Sequence, residues 1–224
     1  MPKRCYAGVM LTRVLFLSAL LGMVVVPAKA GPIRLDDWKT HWFASFFSRV
    51  TFEGAPDRMA VDADGSVSIT YKLLPASEQG ASRASWTWSV AKSVPPTDLT
   101  RKGGDDRNLA LYFAFLPKDQ ADQAVRQSLR KLLKNPDGRV LVYVHGGAHK
   151  RGSLLPSPYL GARGKTVVLR PSGEGAAAES INLAADYKRA FGGTPGALVA
   201  LALSADSDDT DAEMMGVIEG LRLE

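Results

Sequence analysis

Hydrophobic and polar positions alternate along much of this chain, the period-two pattern of half-buried strands rather than the 3.6-residue period of helices. Residues 58–62 and 66–73 alternate on either side of Asp62-Ala63-Asp64-Gly65, which reads as a hairpin. Over residues 82–90, Trp86, Trp88 and Val90 fall on one face and Ser85, Thr87 and Ser89 on the other. The tryptophans are therefore expected in a core, with a sugar-stacking platform as the alternative. Residues 109–115 are apolar on both faces, which predicts a central strand. Residues 139–145 and 166–170 predict further strands, separated by a loop punctuated with Gly and Pro. The last stretch, 200–223, runs from an apolar segment into Asp206-Ser207-Asp208-Asp209-Thr210-Asp211 and out through a half-alternating one. That pattern describes two strands joined across an acidic loop.

Three segments break the rhythm. Residues 119–134 carry Ala121, Ala124, Leu129 and Leu132 at helical spacing, with acids first and bases last as the helix dipole favours. Residues 183–191 predict a second helix, capped by Asn182 and stopped by Gly192-Gly193. Asp36 or Asp37 precedes Trp38, Trp42 and Phe46 at i, i+4 spacing, which predicts a short helix lying on the body of the protein. Its aromatic face is either core or a binding shelf. Residues 93–108, with Pro95-Pro96 and Gly103-Gly104-Asp105-Asp106, form a long polar loop.

Composition alters this picture mainly at the N-terminus. The chain has 224 residues and a formal charge of +5. Lys3, Arg4, Arg13 and Lys29 belong to the first thirty residues, which hold no acid; the remainder carries 24 basic against 23 acidic side chains. The basic balance is thus local, and nucleic acid is excluded as a partner. A positive start, an apolar run over 14–26 and Ala28-Lys29-Ala30 have the form of a secretory signal. The apolar run is shorter than the roughly 20 residues of a membrane span. Residues 1–30 are read as a cleaved signal peptide, with no membrane span after cleavage and a periplasmic or secreted product. The lone cysteine, Cys5, leaves with the leader, so disulfide and thiol chemistry are excluded. No repeat or linker divides residues 31–224, which are read as one domain.

Four stretches in order carry a family resemblance: Trp86-x-Trp88; Gly104-Asp105-Asp106-Arg107 leading into Leu111-Tyr112-Phe113-Ala114-Phe115; Asp186-Tyr187 with Phe191-Gly192; and Asp206-Ser207-Asp208-Asp209-Thr210. The sequence resembles the bacterial exported family known as domain of unknown function 3047. The resemblance implies an envelope protein and supplies no activity. The layout is also similar to galactose-binding-like jelly rolls, a shape common among carbohydrate-binding modules. The expected fold is mainly β, a jelly-roll-like β-sandwich with two helices packed on its edges or ends.

The candidate ligand-binding residues are Asp105, Asp106, Arg107, His145, Asp206, Asp208 and Asp209. Asp206, Asp208 and Asp209 are also the candidate metal ligands. Calcium takes six to eight oxygens, so a loop of carboxylates would supply part of such a site; the alternative is an acidic turn whose aspartates cap backbone N–H groups. His145 and His149 flank Gly146-Gly147-Ala148 and offer at most two ligands of a zinc site. No G-x-S-x-G elbow or phosphate loop is present, which excludes the corresponding hydrolases and nucleotide enzymes. No catalytic residue is assigned. The expected function is non-catalytic binding of an envelope or extracellular carbohydrate, with calcium as the candidate cofactor. The alternatives are a glycan hydrolase using paired carboxylates and a structural envelope partner docking through residues 36–48.

Overall fold

The computed structural model describes residue 1 and residues 31–40, 49–124, 127 and 129–224. The signal-peptide reading of 1–30 therefore falls almost entirely outside the described residues. Short strands β1 (Gly31–Pro32) and β2 (Lys39–Thr40) lead to β3 (Val50–Gly54), β4 (Arg58–Asp64), β5 (Val67–Leu73), β6 (Arg83–Lys92) and β7 (Arg107–Leu116). Helices α1 (Lys118–Ala124) and α2 (Leu129–Lys134) follow, then β8 (Arg139–His145), β9 (Leu154–Ser157), β10 (Gly161–Arg170) and β11 (Gly175–Asn182). Helix α3 (Leu183–Phe191), β12 (Ala197–Asp206) and β13 (Glu213–Leu223) complete the chain.

Two sheets pack face to face. One has the order β11-β6-β13-β4-β3, with β1 also on β13; the other runs β2-β5-β12-β7-β8-β10-β9. The alternation read from sequence decides what lies between them. Met59, Val61, Trp86, Trp88, Met214 and Ile218 point inward from the first sheet, and Leu109, Leu111, Phe113, Leu141, Tyr143, Leu201 and Leu203 from the second. Trp86 meets Trp88 edge-on at 5.4 Å and Tyr143 at 6.1 Å, so both tryptophans are core residues. The protein is a mainly β sandwich of two sheets with three short helices, the expected class.

The second sheet is buried on both faces. Its outer face is covered at one end by α1 and α2, which bring Ala121, Ala124 and Leu132 against Leu116, Ala197 and Val199. Elsewhere Leu99 of the polar loop, with Leu155 and Leu160, covers Ala110, Val140, Val142, Val144 and Val168. These covers do not meet, and the gap between them is the cleft described below.

Several expectations are corrected. The runs at 58–62 and 66–73 form β4 and β5, but β4 pairs with β3 and β13 while β5 pairs with β2 and β12. The turn at Gly65 (φ +51°) crosses from one sheet to the other; turn chemistry specifies a sharp reversal, not which neighbour a strand takes. The 119–134 segment forms two short helices rather than one. In the 36–48 segment, Lys39 and Thr40 pair with Tyr71 and Thr70 as strand β2, and residues 41–48 lie outside the described residues. Asp36 and Asp37 are held by Arg34 and Lys72 instead of capping a helix. Asn182 does cap α3, its side chain accepting from the Ala185 N–H.

Candidate functional site

Arg107 organises the site. It sits where β7 enters the sheet, and strict alternation would send its side chain inward with Leu109 and Leu111. Between the pairs Ser204↔Ala110 and Asp206↔Arg107 the register slips by one residue, a β-bulge on β7. Bulges re-aim side chains, and here the guanidinium turns to the outer face, opposite Asp206 of β12. Its Nη1 donates to the Asp105 carboxylate at 3.0 Å and pairs with Asp206 at 2.8 Å, and Nη2 donates to the Tyr112 hydroxyl at 3.1 Å. The Tyr112 hydroxyl lies 3.1 Å from Ser204 Oγ. Tyr159 donates to the other Asp105 oxygen at 2.8 Å.

Asp105, Arg107 and Asp206 are all buried. Burial alone would favour a neutral Arg107, but Tyr112, Asp206 and Asp105 outweigh it and raise its pKa further, so the guanidinium stays charged. Burial pushes Asp206 up to about 8 against the pull of Arg107, with a hydrogen bond and charge from Asp208 adding to the rise. Burial and then the bond to Asp105 move Tyr159 up to about 12, which keeps its hydroxyl a donor.

The two acidic loops meet. Asp106, wholly buried, accepts from the Asp209 N–H at 3.2 Å, the Thr210 N–H at 2.8 Å and the Thr210 hydroxyl. It ties the 93–106 loop to the turn after β12. Carboxylate oxygens of Asp106, Asp208 and Asp209 lie within 4.8 Å of one another, with Asp208 and Asp209 exposed. This trio could supply three of the six to eight oxygens of a calcium ion. Asp206 is turned toward Arg107 instead, so the grouping exchanges Asp206 of the expected metal set for Asp106.

His145 stands apart from these residues. It belongs to the inward row of β8, its ring 5.6 Å from Trp88, and Nε2 donates to the Gly173 carbonyl at 3.1 Å. Burial lowers its pKa, and it is a neutral core histidine. His149 lies 3.4 Å from Asp98, and among the described residues no cluster with metal-ligand geometry includes either histidine. Gly146 and Gly147 serve packing. A Cβ on Gly146 would lie 2.7 Å from Arg107 Cβ, and Gly147 (φ +76°) leaves room for Leu99.

Sequence reasoning missed the cavity beside this polar cluster. A cleft of about 280 Å³ opens on the outer face of the second sheet. Its floor is Tyr112 and Ala114 of β7, Val140, Val142 and Val144 of β8, and Ala200 and Ala202 of β12. Leu99, Leu133, Tyr159 and Leu160 form its rim, and Asp105 and Arg107 close one end. Strands apolar on both faces were the signal for it, but the same signal describes any central strand.

The family described as protein of unknown function (DUF3047) matches residues 36–222. The chain belongs to this family. No curated protein sequence matches it. Among solved structures, it is similar to the xyloglucanase domain of NopAA, a type three effector from Sinorhizobium fredii, in complex with cellobiose. That likeness has 8% identity and a TM-score of 0.45, covering 84% of this chain and 92% of that one. A family 11 xylanase from Neocallimastix patriciarum shows 11% identity and a TM-score of 0.40, covering 88% of this chain and 100% of that one. A loop-swap mutant of Xyn11A gives 11% and 0.42, with coverage of 87% and 94%. Likeness at this level carries no inference about activity.

Proposed function

We propose that this DUF3047 protein is an exported, non-catalytic binding protein whose ligand carries a carbohydrate, held at the polar end of the outer-face cleft. The observation that carries the reading is the mouth of the cleft. Tyr159 is 55% exposed, yet its hydroxyl is fixed by Asp105 and its ring lies under Lys102 Nζ at 5.6 Å. A pre-oriented aromatic face beside carboxylate acceptors is what a sugar ring stacks on and hydrogen-bonds to. Hydrolysis is disfavoured by the same geometry. A glycosidase needs two carboxyl groups flanking the scissile bond, whereas the space between Asp105 and Asp206 is filled by the Arg107 guanidinium.

Calorimetric titration of soluble oligosaccharides tests the proposal. Binding that is lost in Tyr159→Ala and kept in Asp208→Asn is expected, and release of reducing sugar would overturn the non-catalytic reading. A calcium ion at Asp106, Asp208 and Asp209 is a second part of the proposal. It predicts a melting temperature roughly 5–10 °C higher in saturating calcium than in chelator, with the difference absent in Asp208→Asn.

A further inference from the structure

We infer that the interior of the cleft is a hydrocarbon site, taking a single uncharged alkyl chain of about ten carbons. The inference shares the cleft of the carbohydrate reading, but only the placement of a sugar at the mouth rests on that reading.

Four observations carry it. The lining is predominantly aliphatic: Ala114, Val140, Val142, Val144, Ala200 and Ala202 form a row of small apolar groups, with the hydroxyls of Tyr112, Ser157 and Thr166 beside it, that of Tyr112 already bonded to Arg107 and that of Ser157 to the Leu160 N–H. The charged end is already satisfied: Arg107 spends Nη1 on Asp105 and Asp206 and Nη2 on Tyr112. It has no free charge with which to bind an ionic group inside the cleft. The third observation is size. An apolar cavity of about 150 Å³ accepts benzene, so 280 Å³ takes a body nearly twice as large. From Val144 to Val140 the floor runs four residues along β8, roughly 13 Å at about 3.3 Å per residue, which suits an extended chain of that carbon count. A second hollow of about 30 Å³ shares Ala114, Leu133, Val140, Leu160 and Ala200 with the cleft and continues it beyond Val140. The fourth is the rim. Among the described residues the exposed large hydrophobics are Met1, Leu133, Tyr159 and Met215, and two of these, Leu133 and Tyr159, border the cleft. Apolar side chains left in water around an apolar hollow mark a ligand surface.

An uncharged chain buried among methyl groups, with its polar end at Tyr159, describes an amphiphile such as a lipid-linked sugar. The test is calorimetric titration of the purified protein with alkyl glucosides of six, eight, ten and twelve carbons, below their micelle concentrations. Decan-1-ol and glucose serve as the headless and chainless controls. Affinity is expected to rise about fourfold per methylene, and to level off near ten to twelve carbons where the cleft is full. Ala202→Phe fills the floor and should abolish binding; the chain-length series on the unaltered protein stands even if that variant folds poorly. Decan-1-ol bound as well as decyl glucoside would uphold the hydrocarbon site and remove the sugar from it. Glucose or oligosaccharides bound with no gain from the chain would overturn the hydrocarbon site and leave the carbohydrate reading intact. Heat only at micelle-forming concentrations, or none with any probe, would overturn it as well.

Discussion

Asp206 is buried beside Arg107 and Asp208, and its burial together with the Asp208 carboxyl outweighs the pull of the guanidinium. The folded pKa of Asp206, about 8, stands well above the ordinary carboxylate value of about 3.9 that it regains on unfolding. The folded state therefore binds the extra proton between those values. The associated stability is complete below about pH 4 and is lost as pH rises through about 8. Between pH 5 and 9 the melting temperature of the wild-type protein should fall more steeply than that of Asp206→Asn, which cannot lose the proton. Parallel curves would mean that Asp206 is ionised throughout. Asp106 acts differently, as the acceptor for three donors from the turn after β12. Asp106→Ala strands two backbone N–H groups and should cost roughly 2–4 kcal/mol, read as a lower midpoint in urea. A midpoint within error of wild type would show that water replaces the carboxylate.

At the scale of elements, the end of β8 supports the cleft through two glycines. Gly147 has φ +76°, and a Cβ there would stand 2.5 Å from Leu99 Cγ, the same Leu99 that walls the cleft. Gly147→Ala should cost about 1–3 kcal/mol from the left-handed backbone alone, and it should also loosen ligand binding by displacing Leu99. Destabilisation with unchanged binding would separate the glycine from the site. This dependence of the site on local backbone explains what the sequence made legible. The strands with strong alternation or continuous apolar runs, β6, β7, β8 and β12, could be read directly, as could the Asn182 cap. Strand β11 could not, because Gly-Ala-Ala-Ala has little strand propensity and is held in place by pairing with β6. The acid residues of the site were legible as the densest charge clusters in the chain. The position of Arg107 beside Asp206 was not, since it depends on a bulge, and a one-residue slip reverses the face of a side chain without changing the sequence pattern. His145 lies apart from the cluster for a related reason: its row on β8 faces the core with Tyr143, while Val144 faces the cleft.

For the whole molecule, the question is what holds the two sheets together at the β11 edge, where Glu179 stands in register with Trp86 of β6. Glu179 lies on β11 of the first sheet and is buried. It accepts from Arg170 Nε, at the end of β10 in the second sheet, at 2.7 Å, and from Arg151 Nη2 at 3.1 Å. The Arg170 and Arg151 side chains are 34% and 54% exposed, so on losing Glu179 both can turn to water. The cost is then smaller than the 3–5 kcal/mol of breaking a fully buried pair, about 1–3 kcal/mol. Trp88→Ala, which empties the centre of the sandwich, should cost about 3–5 kcal/mol. Both variants should lower the urea midpoint, and in Glu179→Ala the slope separates two roles for the ion pairs. If Glu179→Ala keeps the wild-type slope, the sandwich still unfolds as one unit and the ion pairs add stability to an edge already docked. A reduced slope would mean less surface exposed on unfolding, because β11 has already left β6 in the native state. In that case the ion pairs from Glu179 to Arg151 and Arg170 are what keep the edge of the first sheet closed.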